Sequence, residues 1–202
     1  MIDITIFDYG VGNLHSIKNG LERAGAGVKV TSDVDQILNA ECVVLPGVGA
    51  FGKAMDAIDP IKADLLKRLN DGMPALGVCL GMQLLFERSS ESTGGGIGFI
   101  KGDCPKLKLK MGKVPQIGWN SVQFLRDDEL FVGIPQGSYF YFANSYVTRP
   151  TENVSIATTE YGTAFPSVIK KKNVYGTQFH PEKSDVVGLR MLANFVGFVG
   201  SC

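Results

Sequence analysis

Apolar residues recur at every second position at the start of the chain. Ile2, Ile4 and Ile6 alternate with polar neighbours, a period that predicts a strand over 2–7. The period then lengthens: Leu14, Ile17 and Leu21 fall on one stripe and predict a helix over 13–24. Val28 to Thr31 reads as a second strand, and Asp33 to Leu38 as a short helix capped by Asp33. Cys42 to Leu45 is a continuous apolar run, predicting a buried strand that Pro46-Gly47-Val48-Gly49 punctuates. Ala54 to Leu69 has helical spacing with a break near Asp59-Pro60. Pro74 to Val78 predicts another strand, and Met82 to Arg88 another helix. Such β-α repetition implies a mostly parallel central sheet with helices on both faces, an α/β fold.

From Gly98 to Gln178 the pattern changes to short strands and turns, exemplified by 138–142 and 154–159. These strands are expected to extend the sheet or to form a smaller antiparallel layer beside it. Ser184 to Val199 predicts a closing helix with Leu189, Leu192, Val196 and Val199 toward the core. The Lys170-Lys171-Lys172 run predicts a solvated turn between strands. A chain of 202 residues with no visible linker or repeat is expected to be a single domain over 1–202. That length buries a sizeable core without disulfides or metals.

Composition narrows the function classes. Twenty basic and twenty acidic residues cancel, so neither a nucleic acid nor a membrane surface is an expected partner. The N-terminus has no basic, apolar leader and no run is long enough to span a bilayer, so a cytoplasmic setting is expected. The four cysteines, Cys42, Cys79, Cys104 and Cys202, show neither Cys-x-x-Cys nor zinc spacing, so no metal and no disulfide framework are expected. Cys42 sits in an apolar run, Cys104 near a loop and Cys202 at the end; none has a functional case.

Cys79 is different. Gly77-Val78-Cys79-Leu80-Gly81 has the form of a nucleophile elbow, a strand that turns sharply into a helix. The glycines remove side chains where strand and helix come close. The helix start places backbone N–H groups near the sulfur and favours thiolate over thiol. The Leu80 N–H is then placed to donate to an oxyanion. The pentapeptide alone also fits a buried cysteine at an ordinary strand–helix junction. His180-Pro181-Glu182 favours the catalytic reading. Proline keeps the preceding residue out of the α region, so His180 should be extended, and residues two apart in an extended segment share a side. Glu182 can then orient one ring nitrogen while the other exchanges the Cys79 proton. The other histidine, His15, lies at a helix start with no partner in view. The loop Pro46 to Gly52 follows a central strand, and its glycines allow close approach of backbone to a ligand. It offers a second oxyanion N–H at Val48 or Gly49, or else it is a simple turn. Gly10-Val11-Gly12 lacks the third glycine of a dinucleotide fingerprint, because His15 stands there, so no cofactor is expected.

Gly77 to Gln83 together with His180-Pro181-Glu182 resembles the class I, triad-type glutamine amidotransferases. The string through Met82-Gln83-Leu84-Leu85-Phe86-Glu87 is similar, more narrowly, to the glutaminase subunits of imidazole glycerol phosphate synthases. Asp8 to Leu14, Pro46 to Phe51, Pro115 to Asn120 and Gln178 to Ser184 extend the resemblance over almost the whole chain. The resemblance implies a class I amidotransferase-like, flavodoxin-like fold and the hydrolysis of glutamine to glutamate and ammonia. It implies Cys79 as nucleophile, His180 as acid and base, Glu182 as its orienting acid, and Leu80 with Val48 and Gly49 as oxyanion donors. Gln83, Glu91, Ser145 and Tyr146 would bind glutamine. Relatives usually carry Phe-Val-His-Ser-Tyr where this chain has Phe142-Ala143-Asn144-Ser145-Tyr146. That change is tolerable if the strand binds through its backbone. The implied partner is a cyclase subunit with a (β/α)8 barrel, forming a heterodimer in histidine biosynthesis. Lys183 and Asn13 are interface candidates; Trp119, the one tryptophan, is another, although the core is its default. The alternatives are a glutaminase subunit of another pathway, a stand-alone cysteine hydrolase on a similar fold, or a non-catalytic subunit.

Overall fold

The structure, a computed structural model, describes residues 2–10, 14–47, 49–108 and 113–202. The first half follows the β-α order: β1 Asp3–Phe7, α1 His15–Arg23, β2 Gly27–Thr31, α2 Val34–Leu38, β3 Val43–Leu45, α3 Phe51–Ile58, α4 Lys62–Asn70, β4 Ala75–Val78 and α5 Leu80–Leu84. A single 3-10 turn, Asp59–Ile61, separates α3 from α4 at the break that Pro60 imposes. Asp33 caps α2, its carboxylate accepting from the backbone N–H groups of Asp35 and Gln36. The second half contains β5 Phe86–Ser89, β6 Ile100–Cys104, β7 Gln116–Ser121, β8 Gln123–Phe124, β9 Tyr139–Asn144, β10 Arg149–Pro150, β11 Ser155–Glu160, β12 Ala164–Lys171, β13 Val174–Thr177 and α6 Asp185–Val199.

Among the described residues, the strands form an eight-stranded sheet in the order β2-β1-β3-β4-β13-β12-β11-β8, a three-stranded sheet and the β7–β9 pair. The first five strands of the large sheet are parallel, and β12, β11 and β8 continue it antiparallel. The parallel part has the 2-1-3-4-5 order of flavodoxin-like sheets. Alternation sends Ile4, Ile6, Val44 and Leu76 to one face, where they pack with Leu21 of α1 and Leu192 and Phe195 of α6. Phe7, Val43, Leu45 and Ala75 face the other side, against Met55 of α3 and Leu65 of α4. Among the described residues, no helix is long and apolar enough to cross a membrane.

Three expectations are corrected. Met82 to Arg88 is not one helix: α5 ends at Leu84 and β5 begins at Phe86. The Leu84 and Leu85 carbonyls accept from Ile97 and Ile100, so the backbone leaves the helix to pair with β6. Cys104 is the last residue of β6, buried and next to the loop that follows it. Of the three lysines, only Lys172 stands in the exposed turn between β12 and β13. Lys170 and Lys171 end β12; Lys170 is 22% exposed, ion-paired with Asp128 and Glu129 and placed over the Tyr175 ring, while Lys171 pairs with Glu152. On α6, the core face runs through Met191, Leu192, Phe195, Val196 and Phe198; Val199 packs against this core while partly exposed, and Leu189 is only partly buried.

Candidate active site

Three adjacent parallel strands, β3, β4 and β13, end at the same edge of the sheet. Gly47 follows β3, Cys79 follows β4, and His180 follows β13 after Gln178 and Phe179. Loops beyond the carboxyl ends of such strands form the ligand crevice of this kind of sheet.

Cys79 is the pivot of the elbow. Its φ of 46° and ψ of −100° lie outside the regions a side-chain-bearing residue prefers. The turn is held on both sides: Cys79 N donates to Thr177 O at 2.6 Å, and Gln83 N to Cys79 O at 3.2 Å. Strand and helix close so tightly that a Cβ on Gly77 would stand 2.7 Å from the Gly81 carbonyl, and one on Gly81 would collide with the Leu45 carbonyl of β3. The two glycines are therefore steric requirements of the turn.

His180 is extended, at φ −99° and ψ 96°, as the following proline demands. Pro181–Lys183 is then a 3-10 turn rather than continued extension. The turn still brings Glu182 alongside: His180 Nδ1 lies 2.8 Å from Glu182 Oε1, with the two side chains 3% and 5% exposed. Cys79 stands close enough to the histidine ring to favour its charged form. Burial opposes its charged form, but the hydrogen bonds and charges of Cys79 and Glu182 outweigh burial and raise its pKa well above the ordinary histidine value. The His180 backbone is buckled to β9. His180 N donates to Tyr141 O at 2.9 Å, and Ser184 Oγ donates to His180 O at 2.6 Å while accepting from Tyr141 N.

A cleft of about 160 Å³ opens beside the sulfur, lined by Gly47, Gly49, Cys79, Leu80, Gln83, Glu91 and the 143–146 segment. Gly49, Leu80, Gln83, Glu91, Ser145 and Tyr146, all named from sequence, thus meet Cys79 in one place. Gly49 has a φ of +113°, which a glycine adopts without strain. Glu91 is exposed at the cleft and Gln83 is buried. Asn144 Nδ2 donates to Tyr146 O, while its Oδ1 is buried without a partner among the described residues. Ala143 O lies 3.9 Å from Cys79 Sγ. Val48 and Asn13 lie outside the described residues. Lys183 is exposed directly after Glu182.

Trp119 is not core: it is 52% exposed and meets Tyr141 edge to face across β7 and β9. Alternation places it on the outward face of the pair with Ile117 and Tyr139, both also exposed. His15 does have a partner, since Asn19 Nδ2 lies 2.8 Å from its Nε2. Burial pushes the Cys42 and Cys104 thiols up, which keeps both protonated. Two residues that the sequence did not single out touch the site. Ser184 forms the buckle just described, and the Gln178 carboxamide Nε2 lies 3.5 Å from Cys79 Sγ. Gln178 stands two residues before His180, so the alternation that pairs His180 with Glu182 was the available signal for it.

Gly47 gives the geometry a sharp test. A Cβ there would stand 2.8 Å from the Val78 carbonyl oxygen and 3.0 Å from both Cys79 Cβ and His180 Cε1. Gly47→Ala is expected to part the sulfur from the imidazole and lower the rate of Cys79-dependent turnover about 100-fold, and the contact with the Val78 carbonyl should also lower the melting temperature. Steady-state kinetics beside a thermal melt checks this; a native rate contradicts it.

The sequence profile of the class-I glutamine amidotransferases matches residues 5–197. The chain is 48% identical to a Methanocaldococcus jannaschii protein named imidazole glycerol phosphate synthase subunit HisH, over 96% of this chain and 98% of that one. It is 44% identical to a Bacillus cereus protein of the same name, over 97% and 95% respectively. Among solved structures, its fold resembles that of PurLQS from Thermotoga maritima, with a TM-score of 0.76 at 18% identity and 98% coverage of both chains. It also resembles the glutaminase domain of Trypanosoma brucei CTPS, with a TM-score of 0.72 at 14% identity, covering 100% of this chain and 94% of that one. The chain belongs to the class-I glutamine amidotransferase family, among the HisH subunits of imidazole glycerol phosphate synthase.

Proposed function

We propose that this chain, acting as one domain, hydrolyses glutamine through a Cys79 thioester and delivers the ammonia to a cyclase subunit. The observation that carries the reading is the convergence of Cys79, His180 and Glu182 at the ends of β4 and β13, beside a cleft lined by the glutamine-binding candidates.

The Cys79 thiolate attacks the side-chain amide carbon, forming an S–C bond and an oxyanion. The Leu80 N–H and an N–H from the Val48-Gly49 loop stabilise that charge as it develops. The C–N bond breaks as protonated His180 gives its proton to the leaving nitrogen. Water then attacks the thioester, giving its proton to His180. The S–C bond breaks, glutamate leaves and the thiolate returns. Glu182 holds Nδ1–H, so Nε2 serves the sulfur and the substrate. Exposed Glu91 offers a countercharge for the substrate ammonium, while Gln83, Ser145 and Tyr146 bound the rest of the molecule.

The relatives' name makes each of them one subunit of a synthase. The partner proposed here is a (β/α)8-barrel cyclase that consumes ammonia to make imidazole glycerol phosphate and an aminoimidazole carboxamide ribotide, in the cytoplasm. The exposed apolar stripe Ile117, Trp119 and Tyr139 suits docking, and it adjoins the catalytic loop because His180 N bonds Tyr141 O. Lys183 and Asn13 are the polar candidates for the same interface. Lys183→Ala is expected to lower cyclase-dependent ammonia transfer severalfold and leave the melting temperature within about 2 °C of native. Unchanged transfer in the complex rejects the contact.

The test of the function is glutamine hydrolysis by the native chain and by Cys79→Ser, each with and without the cyclase. The native chain should be slow alone and fast in the complex, because the glycine loop can adopt more than one backbone geometry. Cys79→Ser should be inactive in both. Hydrolysis that survives the substitution overturns the mechanism.

A further inference from the structure

The mechanism above uses His180 and Glu182 but leaves a third buried polar group beside the sulfur without a role. Gln178 has no exposed surface. Its Nε2 lies 3.5 Å from Cys79 Sγ, and its Oε1 lies 3.2 Å from Gln83 Nε2. Gln83 Nε2 also lies 3.2 Å from the Tyr146 carbonyl oxygen. We propose that Gln178 is a further catalytic residue, whose carboxamide N–H donates to the Cys79 thiolate, and that Gln83 is the positioning residue that fixes which end of that carboxamide faces the sulfur. The inference rests on the reading of Cys79 as the nucleophile.

The polarity of the chain of hydrogen bonds follows from its far end. A backbone carbonyl only accepts, so Tyr146 O selects the NH2 end of Gln83. That NH2 carries two hydrogens, and the second goes to the acceptor end of Gln178. The donor end of Gln178 is therefore turned to the sulfur. The opposite assignment of both amides would set Gln83 Oε1 against Tyr146 O and Gln178 Oε1 against the thiolate, leaving buried acceptors facing one another. A hydrogen bond to the charged form favours that form. Because the Gln178 amide is fully buried, its bond to the sulfur is not exchanged for an equivalent bond from solvent. The sulfur then has the Gln178 amide as a donor, while His180 acts on it as the acid and base. Gln83, named as a substrate-binding candidate, gains a second role. Its Nε2 is committed within the protein, and it links the cleft-lining residue Tyr146 to the nucleophile.

Alkylation of Cys79 by iodoacetamide tests this without substrate or partner. The full chain is compared with Gln178→Leu, Gln178→Glu and Gln83→Met, and modification of the Cys79 peptide is followed by mass spectrometry from about pH 5 to 10. Near-UV circular dichroism checks folding. Thiolate is the reacting form, so Gln178→Leu should slow alkylation at neutral pH by about tenfold, the effect of losing a hydrogen bond to a charged group. Gln178→Glu should slow it further, and all rates should converge in alkaline solution. Gln83→Met keeps Gln178 but frees its orientation, and should move the profile the same way by less. A pH profile that superimposes on the native one in folded Gln178→Glu overturns the proposal. Should the Gln178 variants not fold, a native profile in Gln83→Met overturns it instead. Native alkylation in these variants alongside Cys79-dependent glutamine hydrolysis sinks this inference alone. Hydrolysis that survives Cys79→Ser sinks the functional reading while leaving the hydrogen bond in place.

Discussion

Gly81→Ala is expected to destabilise the protein by at least about 3 kcal/mol, the upper end of what overpacking costs. The added Cβ would collide with the Leu45 carbonyl oxygen and stand 2.6 Å from its carbon. Those atoms are backbone of β3, hydrogen-bonded into the sheet, so no rotamer change relieves the contact. At this chain length the loss corresponds to a fall in melting temperature of roughly 10 °C, or to an insoluble product. Gly197→Ala is the control. Gly197 lies in α6 with nothing within 4 Å of its added Cβ, so that substitution should be neutral or stabilising by about 0.5 kcal/mol. Thermal melts of the two variants decide the matter. A Gly81→Ala protein melting like Gly197→Ala would mean that the elbow is looser than its contacts indicate.

Glu182→Gln is expected to lower the rate of Cys79-dependent turnover about 1,000-fold, by analogy with the orienting acid of serine triads. The carboxylate accepts from Nδ1 and so presents Nε2 to the sulfur; a carboxamide can donate to Nδ1 instead and hold the wrong tautomer. The pH dependence of stability gives an independent sign. Burial lowers the pKa of His180, but the contacts with Cys79 and Glu182 raise it more, so its folded value lies above its unfolded one. Stabilisation of this kind is fully present below the ordinary histidine value and is lost as pH rises through the raised value. The melting-temperature gap between native and Glu182→Gln should therefore be widest near pH 6, about the ordinary histidine range, and should narrow in alkaline solution. A gap that widens with pH contradicts the assigned direction.

The parallel half of the fold was legible because β1 alternates apolar and polar residues and the central strands β3 and β4, buried on both faces, read as apolar runs, such as 42–45 before Pro46. The helix expected over Met82 to Arg88 was not, because its end is set by carbonyls of Leu84 and Leu85 that bond residues 97 and 100. No local pattern announces such a pairing. Lys170 and Lys171 failed for a related reason: their carboxylate partners, Asp128, Glu129 and Glu152, are distant in sequence. Trp119 defeated the rule that a lone tryptophan is core, since its strand belongs to a two-stranded pair with one uncovered face. At the site, Cys79, His180 and Glu182 were legible because steric rules act on neighbours: glycines at an elbow, and proline after histidine. Gln178 and Ser184 stand in the same motif but acquired meaning only when β13 met β4 and β9 met the catalytic loop.

The central claim is that glutamine passes through a covalent intermediate on Cys79. The most direct measurement is acid quenching of the complex with its cyclase during turnover, followed by mass spectrometry of the Cys79 peptide. A glutamyl adduct on Cys79 that hydroxylamine removes is expected, with no adduct or turnover in Cys79→Ala. An adduct on a different residue, or glutamate formation that persists in Cys79→Ala, would contradict it.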